Sequence, residues 1–164
     1  MTRVEGVALV VPGDDVDTDV MYPGAYLNVE DPAQMAQYLF EGFDPSLRER
    51  VVEGTILVVG SNFGIGSSRE HVPLAMQGSG IRGVVGRSFA RIFYRNCINL
   101  GLLALEQPEL SDSAQDDELI SIDLERGTAT LDGVVTPLRG LHPFVVEAVA
   151  AGGFVEWSRS HPPH

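Results

Sequence analysis

The sequence predicts a single compact α/β domain built on parallel strands, and three observations carry that reading. Two strand–loop–helix units follow one another between residues 51 and 105, the 164 residues are 44% hydrophobic, and neither an internal repeat nor a linker divides them. Successive βα units imply right-handed crossovers and parallel pairing, and a chain of this length can bury one core of its own.

Residues 7–11 read as a short strand running into the turn Pro12-Gly13-Asp14-Asp15. Residues 16–26, with Thr18, Asp19, Pro23 and Gly24, are loop-like. Asp31-Pro32 places a capping carboxylate and a first-turn proline ahead of a helix whose Met35, Tyr38 and Leu39 recur at helical spacing. Residues 51–59 are a strand and 68–78 a helix. Residues 81–86 form a second buried strand, Ser88 is expected to cap a helix reaching Asn99, and residues 102–105 are a third strand. Residues 111–117 are acidic and read as a surface loop. Residues 119–124 and 128–131 flank Glu125-Arg126-Gly127 as a hairpin, and a last helix covers 143–151. The domain is expected to span residues 1–157. Residues 158–164 are expected to be a disordered tail, to which the His161-Pro-Pro-His164 pair belongs rather than to a metal site.

Composition excludes several function classes. A net charge of -12 repels nucleic acid and anionic membrane surfaces. No apolar stretch approaches the ~20 residues of a membrane span, and residues 1–11 lack a basic-then-apolar signal pattern. The single cysteine, Cys97, provides no disulfide framework and fits a cytoplasmic location; alone it holds neither an iron–sulfur cluster nor a structural zinc. All 11 basic residues are arginines, which removes Schiff-base chemistry and a phosphate-loop lysine. Between His71 and Leu105 there is no Asp or Glu, whereas Arg82, Arg87, Arg91 and Arg95 all lie there. That cationic island fits a small anionic substrate, a solvated helix face or an inter-subunit patch.

The most informative stretch is Gly60-Ser-Asn-Phe-Gly-Ile-Gly-Ser-Ser-Arg-Glu-His71. A strand feeding three glycines, two hydroxyls and a helix start is a place to receive an anion, since free N–H groups and the helix dipole point there. Ser67-x-x-Glu70 is also a capping box, which needs no ligand. Arg69 is what a cap alone leaves unexplained, because a cation in a first helical turn opposes the dipole by roughly 0.3–1 kcal/mol.

Together with Asp15-Val16-Asp17-Thr18-Asp19 and Ser88-Phe89-Ala90-Arg91-Ile92-Phe93-Tyr94-Arg95-Asn96, the run Gly66-Ser67-Ser68-Arg69-Glu70-His71 resembles the small subunits of 3-isopropylmalate dehydratase, and more broadly the swivelling C-terminal domain of the aconitase family. The resemblance spans about residues 4–155. It implies a swivelling β/β/α domain and a hydro-lyase that moves a hydroxyl between adjacent carbons through an alkene. It also implies a separate large subunit whose cysteines carry a [4Fe-4S] cluster, with no cofactor held by this chain. On the motif match Ser67 is the catalytic base, Ser68 and Arg69 bind the substrate, and Thr18 and Asp19 form the facing Thr-Asp loop. An alkoxide on Ser67 needs the helix N-terminus, backbone N–H groups and Arg69 to stabilise it. A guanidinium matches a carboxylate in a two-pronged bond. On the predicted helix from Ser88, that residue shares a face with Arg91 and Arg95, while Ile92 and Phe93 face the core; the polar face lines the cleft or, as favoured here, seats the large subunit.

Two departures refine the resemblance. Ile65 stands where related isopropylmalate enzymes often have a cysteine, and no arginine occurs between Arg3 and Arg48. Aconitase itself uses an arginine in that interval for a third carboxylate, so the neutral loop Tyr26, Leu27, Asn28, Val29 is read as a specificity loop for an alkyl-bearing hydroxy-dicarboxylate. 2-Isopropylmalate, converted to 3-isopropylmalate in leucine biosynthesis, fits best; homoaconitate-type or methyl-substituted malates are alternatives. From other classes, a dinucleotide-binding module would use Gly64-x-Gly66 after a strand, but Arg69 replaces the third glycine and no acidic residue stands at the ribose position. A non-catalytic regulatory subunit is a further alternative. A hydrolase elbow Gly-x-Ser-x-Gly is absent.

Overall fold

The computed structural model of the protein describes residues 3–66 and 69–163. Strands β1 (Arg3–Val10), β2 (Ile56–Val59), β3 (Gly83–Gly86), β4 (Leu103–Glu106), β5 (Leu119–Asp123), β6 (Thr128–Leu131) and β7 (Val134–Pro137) form one sheet in the order β4-β3-β2-β1-β5-β6-β7. Strands β1 to β4 are parallel, as successive βα units require. The β5–β6 pair is the expected antiparallel hairpin, extended by β7. The seam is β1: Ala8–Val10 pair parallel with β2, whereas Arg3–Val7 pair antiparallel with β5 on the other side. Gly6 lies at this seam because a Cβ there would overlap the Gly54 carbonyl oxygen. Buried Thr55 closes the turn into β2, its hydroxyl accepting from the Val52 N–H at 2.9 Å and donating to the Val52 carbonyl at 2.8 Å.

The helices are α1 (Thr18–Met21), α2 (Pro32–Met35), α3 (Ser46–Arg50), α4 (His71–Gly78), α5 (Arg91–Leu100), α6 (Pro108–Ser113), α7 (Pro143–Ala150) and α8 (Phe154–Ser160). Strand alternation divides the interior between the two faces of the sheet. Leu9, Leu57, Val59, Val84 and Ala104 meet Met21, Met35, Met76 and Phe93 from the helices on one side. Ile56, Val58, Val85, Leu103 and Leu105 face the other side and pack with Leu110 of α6 and Ile120 and Ile122 of β5. Strands buried on both faces are uniformly apolar, which is why the β2 and β3 segments read as continuous hydrophobic runs.

Several expectations are corrected. Helix α4 begins at His71, not Ser68: its N-cap is Glu70, and Arg69 precedes the cap. Ser67, on which the expected capping box rests, lies outside the described residues, and Arg69, standing before the N-cap, does not oppose the dipole from within a first turn. Ser88 does not cap α5; the N-cap is Ala90, without a side-chain bond, and the Ser88 hydroxyl accepts from the Asn62 N–H at 2.7 Å. Ile92 is 49% exposed rather than core-facing, while Phe93 is buried. Part of the predicted loop at 111–117 belongs to α6, where Pro108 occupies the first turn, Leu110 is buried and the Ser111 hydroxyl donates to the Val59 carbonyl at 2.6 Å. Tertiary partners, absent from local composition, stabilise that helix. Toward the end of the chain, Phe154 and Trp157 of α8 pack against Phe144, and the His161 ring stacks on Trp157 at 4.3 Å.

Cys97 sits on α5 with no exposed surface, and burial pushes its thiol pKa well up. Thiolate, the reactive form, is thus suppressed and sterically shielded. Iodoacetamide at neutral pH is expected to leave the native chain unlabelled and to modify it stoichiometrically in denaturant, as measured by intact mass; fast native labelling would contradict this packing.

Candidate active site

Loops from three neighbouring parallel strands converge at the C-terminal edge of the sheet, the place where open α/β sheets bind ligands. The loop after β1 and the loop after β2 are joined by backbone bonds. The Asp15 N–H donates to the Ser61 carbonyl at 2.9 Å, Gly64 to Val16 at 2.9 Å, and Thr18 to Ile65 at 2.7 Å. Asp17 and Ile65 form a parallel β-bridge. The loop after β3 joins through a second bridge, Phe63 with Phe89, in which the Phe63 N–H donates to Ser88 and the Ala90 N–H to Phe63. These bridges continue the sheet's pairing beyond its strands.

Side chains brace the same loops. Asp14 accepts from the Ser61 N–H at 2.8 Å, and the Asn62 amide donates to Asp15 at 3.0 Å. Asp17 caps α1 by accepting from the Asp19 N–H at 2.7 Å. Phe63 is buried against Phe93, ring centroids 5.2 Å apart, so the loop has an apolar root. Gly64, at φ +93°, admits the Phe93 ring where a Cβ would overlap it. Gly66, at φ +105°, is held so close to the β1 loop that a Cβ would lie 2.5 Å from an Asp17 carboxylate oxygen and 3.0 Å from the Thr18 hydroxyl.

The predicted site residues fall as follows. Thr18 is buried at the first position of α1, and Asp19 beside it is exposed. The Thr-Asp loop therefore meets the loop after β2 at Gly66. Ser67 and Ser68 themselves lie outside the described residues. Arg69 follows them, exposed, ahead of α4. In the loop read from the sequence as a specificity loop, Asn28 alone of residues 26–29 is exposed; Tyr26, Leu27 and Val29 are half-buried and lean on the core. Tyr26 stacks on Tyr38 at 3.9 Å, and its carbonyl accepts from the Tyr22 hydroxyl at 2.8 Å.

Sequence reasoning missed the tether of this loop. The His71 Nε2 lies 3.0 Å from the Leu27 carbonyl, and since a carbonyl only accepts, Nε2 is the donor. The His71 ring lies against Tyr22, 5.3 Å between centroids. The first residue of α4 thus ties residues 26–29 to the turn carrying Arg69. The only hint in the sequence is a histidine directly after Arg69-Glu70, which carries no distance information across 44 residues.

A doubly braced, glycine-bearing turn joined to a Thr-Asp loop at the carboxyl edge of a parallel sheet defines an α/β domain that presents part of a ligand site at its surface. Comparison with known proteins places it further. The aconitase C-terminal domain family matches residues 15–110. A 3-isopropylmalate dehydratase small subunit 1 from Methanopyrus kandleri is 46% identical over 153 residues, covering 92% of this chain and 90% of that one. One from Thermodesulfovibrio yellowstonii is 42% identical over 149 residues, covering 90% and 89%. The crystal structure of 3-isopropylmalate dehydratase (leuD) from Methanocaldococcus jannaschii superposes with a TM-score of 0.87 at 37% identity, covering 97% of this chain and 95% of that one. The chain belongs to the aconitase family as a swivelling domain of the 3-isopropylmalate dehydratase small-subunit type.

The family implies an iron–sulfur cluster, and the residues of this chain do not fit one. Its single cysteine is fully buried, and among the described residues no group of three or more His, Cys, Asp or Glu is placed to hold a metal ion. Among the same residues no helix is long and apolar enough to cross a membrane.

Gly66→Ala isolates the contact between the two loops. The side chain meets both an unfavourable φ and the Asp17–Thr18 pair, so a loss of about 1–3 kcal/mol of stability is expected. Faster hydrogen exchange at the Thr18 amide should accompany a lower Tm. An unchanged Thr18 exchange rate would show that the loops do not depend on this contact.

Proposed function

We propose that the chain is the small subunit of a hydro-lyase that converts 2-isopropylmalate to 3-isopropylmalate by dehydration and rehydration, completing its active site against a large subunit. The observation that carries this reading is the junction of the Thr18 loop with the turn leading from Gly66 to Arg69, in a chain matched along nine-tenths of its length by relatives of that name. In this reading the [4Fe-4S] cluster of such an enzyme is held by the large subunit, a reading supported by the burial of this chain's single cysteine.

In this reading Ser67 removes the proton from the carbon beside a substrate carboxylate. The C–H electron pair becomes the alkene as the hydroxyl leaves the neighbouring carbon, and readdition of water at the exchanged positions gives the isomer. A serine hydroxyl is a weak base, so its ionised form needs local N–H donors and the positive end of α4. The eight residues of α4 begin at His71, which directs that end toward the turn. Arg69 clamps a carboxylate with its planar fork, with Ser68 and the Thr18–Asp19 loop contributing hydrogen bonds. Residues 26–29 carry no charge and are fixed by the His71 tether and the Tyr26–Tyr38 stack. A neutral, braced wall suits an alkyl substituent better than a third carboxylate, because an unpaired carboxylate would be desolvated there. Homoaconitate-type and methyl-substituted malates are the neighbouring substrates to compare.

Reconstitution tests the proposal. The chain alone should be catalytically silent, and adding the large subunit should generate isomerase activity with 2-isopropylmalate favoured in a substrate panel. In the reconstituted enzyme Ser67→Ala should lower turnover by at least ~100-fold, as expected for loss of a catalytic base, with the Tm of the isolated chain nearly unchanged. Retention of a tenth of the turnover would reject that role. Arg69→Lys keeps the charge but loses the two-pronged geometry, so catalytic efficiency should fall by roughly 10- to 150-fold. Unchanged efficiency would remove Arg69 from the substrate site.

A further inference from the structure

Ion pairing among the arginines is uneven. Of the 11, Arg3, Arg48, Arg50, Arg82, Arg87, Arg126, Arg139 and Arg159 each lie within ion-pair distance of a carboxylate. Arg91 and Arg95 have no acidic partner among the described residues, although acids outnumber bases 23 to 11 in the chain. The two are one helical turn apart on α5, both exposed, with Ile92 exposed between them and Asn99 exposed one further turn along. In a protein this acidic, two neighbouring cations without counter-charges are the exception. An exposed isoleucine between them adds apolar surface of the kind found at the centre of an interface.

Position gives the patch its meaning. Helix α5 follows directly from Phe89 and Ala90, which bridge to Phe63 in the loop leading to Gly66, so its N-terminus lies on the same carboxyl edge as the candidate site. Beside Arg91 is an open cavity of about 500 Å³, walled by Phe89, Tyr94, Glu106, Arg139 and His142. Two of its charged walls are already engaged: Glu106 accepts from the Phe89 N–H at 3.1 Å, and Arg139 pairs with Glu109 at 2.8 Å. His142 uses Nδ1 to accept from the Phe144 N–H at 3.0 Å, leaving the Nε2 edge for another partner. Ala90 caps α5 without a side-chain bond, so the positive end of the helix adds to Arg91.

We infer that the Arg91–Ile92–Arg95 face of α5, with the cavity beside it, is the seat for an acidic segment of the large subunit. The inference rests on the proposed function, because it takes the large subunit as the partner. Carboxylates of that segment pair with Arg91 and Arg95, an apolar residue covers Ile92, and the contact fixes the orientation in which the Thr18 loop and the Arg69 turn face the substrate. Charge complementarity of this kind sets register and association rate, and it weakens with salt.

The test uses the full chain and the large subunit of the source organism's 3-isopropylmalate dehydratase. Affinity is measured by calorimetry for the wild type, for Arg91→Glu/Arg95→Glu, for Arg91→Lys/Arg95→Lys, and for Arg126→Glu on the distant β5–β6 hairpin. The glutamate double variant should keep the wild-type Tm and lose affinity by at least ~10-fold, the range expected when interfacial charges are reversed. The lysine pair should retain most of it, and Arg126→Glu should bind as the wild type does. Wild-type binding should weaken toward about 1 M salt, where the screening length falls to about 3 Å. Equal affinity for wild type and the glutamate variant would overturn the docking assignment while leaving the proposed function intact. Normal affinity with a raised KM would overturn it too, placing the arginines in the substrate cleft. Failure of the wild type itself to bind would instead reject the functional reading, and this inference with it.

Discussion

The junction of the loops after β1 and β2 is the contact on which the rest of this edge depends. The Thr18 N–H bond to Ile65 and the Asp17–Ile65 bridge carry parallel pairing past the ends of the strands. Gly66 then meets Asp17 and Thr18 with no space for a side chain. Backbone pairing sets the height of each loop, and the absence of a Cβ sets their separation. Both are short-range, directional constraints, which suits a site assembled from segments more than 40 residues apart.

That junction is supported from below. Phe63 and Phe93 fill the space under it, so the loop after β2 is packed before it is hydrogen-bonded. Asp14, Asp15, Asp17 and Ser88 accept from N–H groups and side-chain donors that would otherwise face solvent or one another. Acidic residues that look in the sequence like a charged, solvated turn are thus used locally as acceptors. The same edge carries the α5 arginines, Arg91 and Arg95, which have no acidic partner among the described residues, so polarity there divides into carboxylates that hold the loops and exposed cations.

The His71 bond to Leu27 links the loop at residues 26–29 to this frame. The neutral loop 26–29 is distant in sequence from the turn at Arg69, yet the first residue of α4 fastens one to the other, and the Tyr22–Tyr26–Tyr38 cluster stiffens it. A change in packing around Tyr38 would therefore move residues 26–29 without altering any of them.

The sequence by itself determined the parallel core and the kind of site. Uniform apolar runs mark strands buried on both faces, successive βα units require parallel order, and the glycines, hydroxyls and arginine after β2 mark the turn and, by resemblance, its family. Local pattern misplaced what long-range partners decide. Ser88 resembles a helix cap but serves Asn62 across the edge. Residues 111–113 resemble the start of a loop but belong to helix α6 because Leu110 and Ser111 find partners on the sheet. Helix α8 forms where Phe144 and Glu147 of α7 give Phe154 and Trp157 something to pack and bond against. Ile92 looks like core and is exposed, because a helix with Phe93 and Cys97 inward turns its neighbour outward. Periodicity and turn chemistry are properties of a few adjacent residues and can be read along the chain. The pairing of Thr18 with Ile65, the tether from His71 to Leu27 and the isolation of Arg91 and Arg95 are distances between segments, which only the folded sheet fixes.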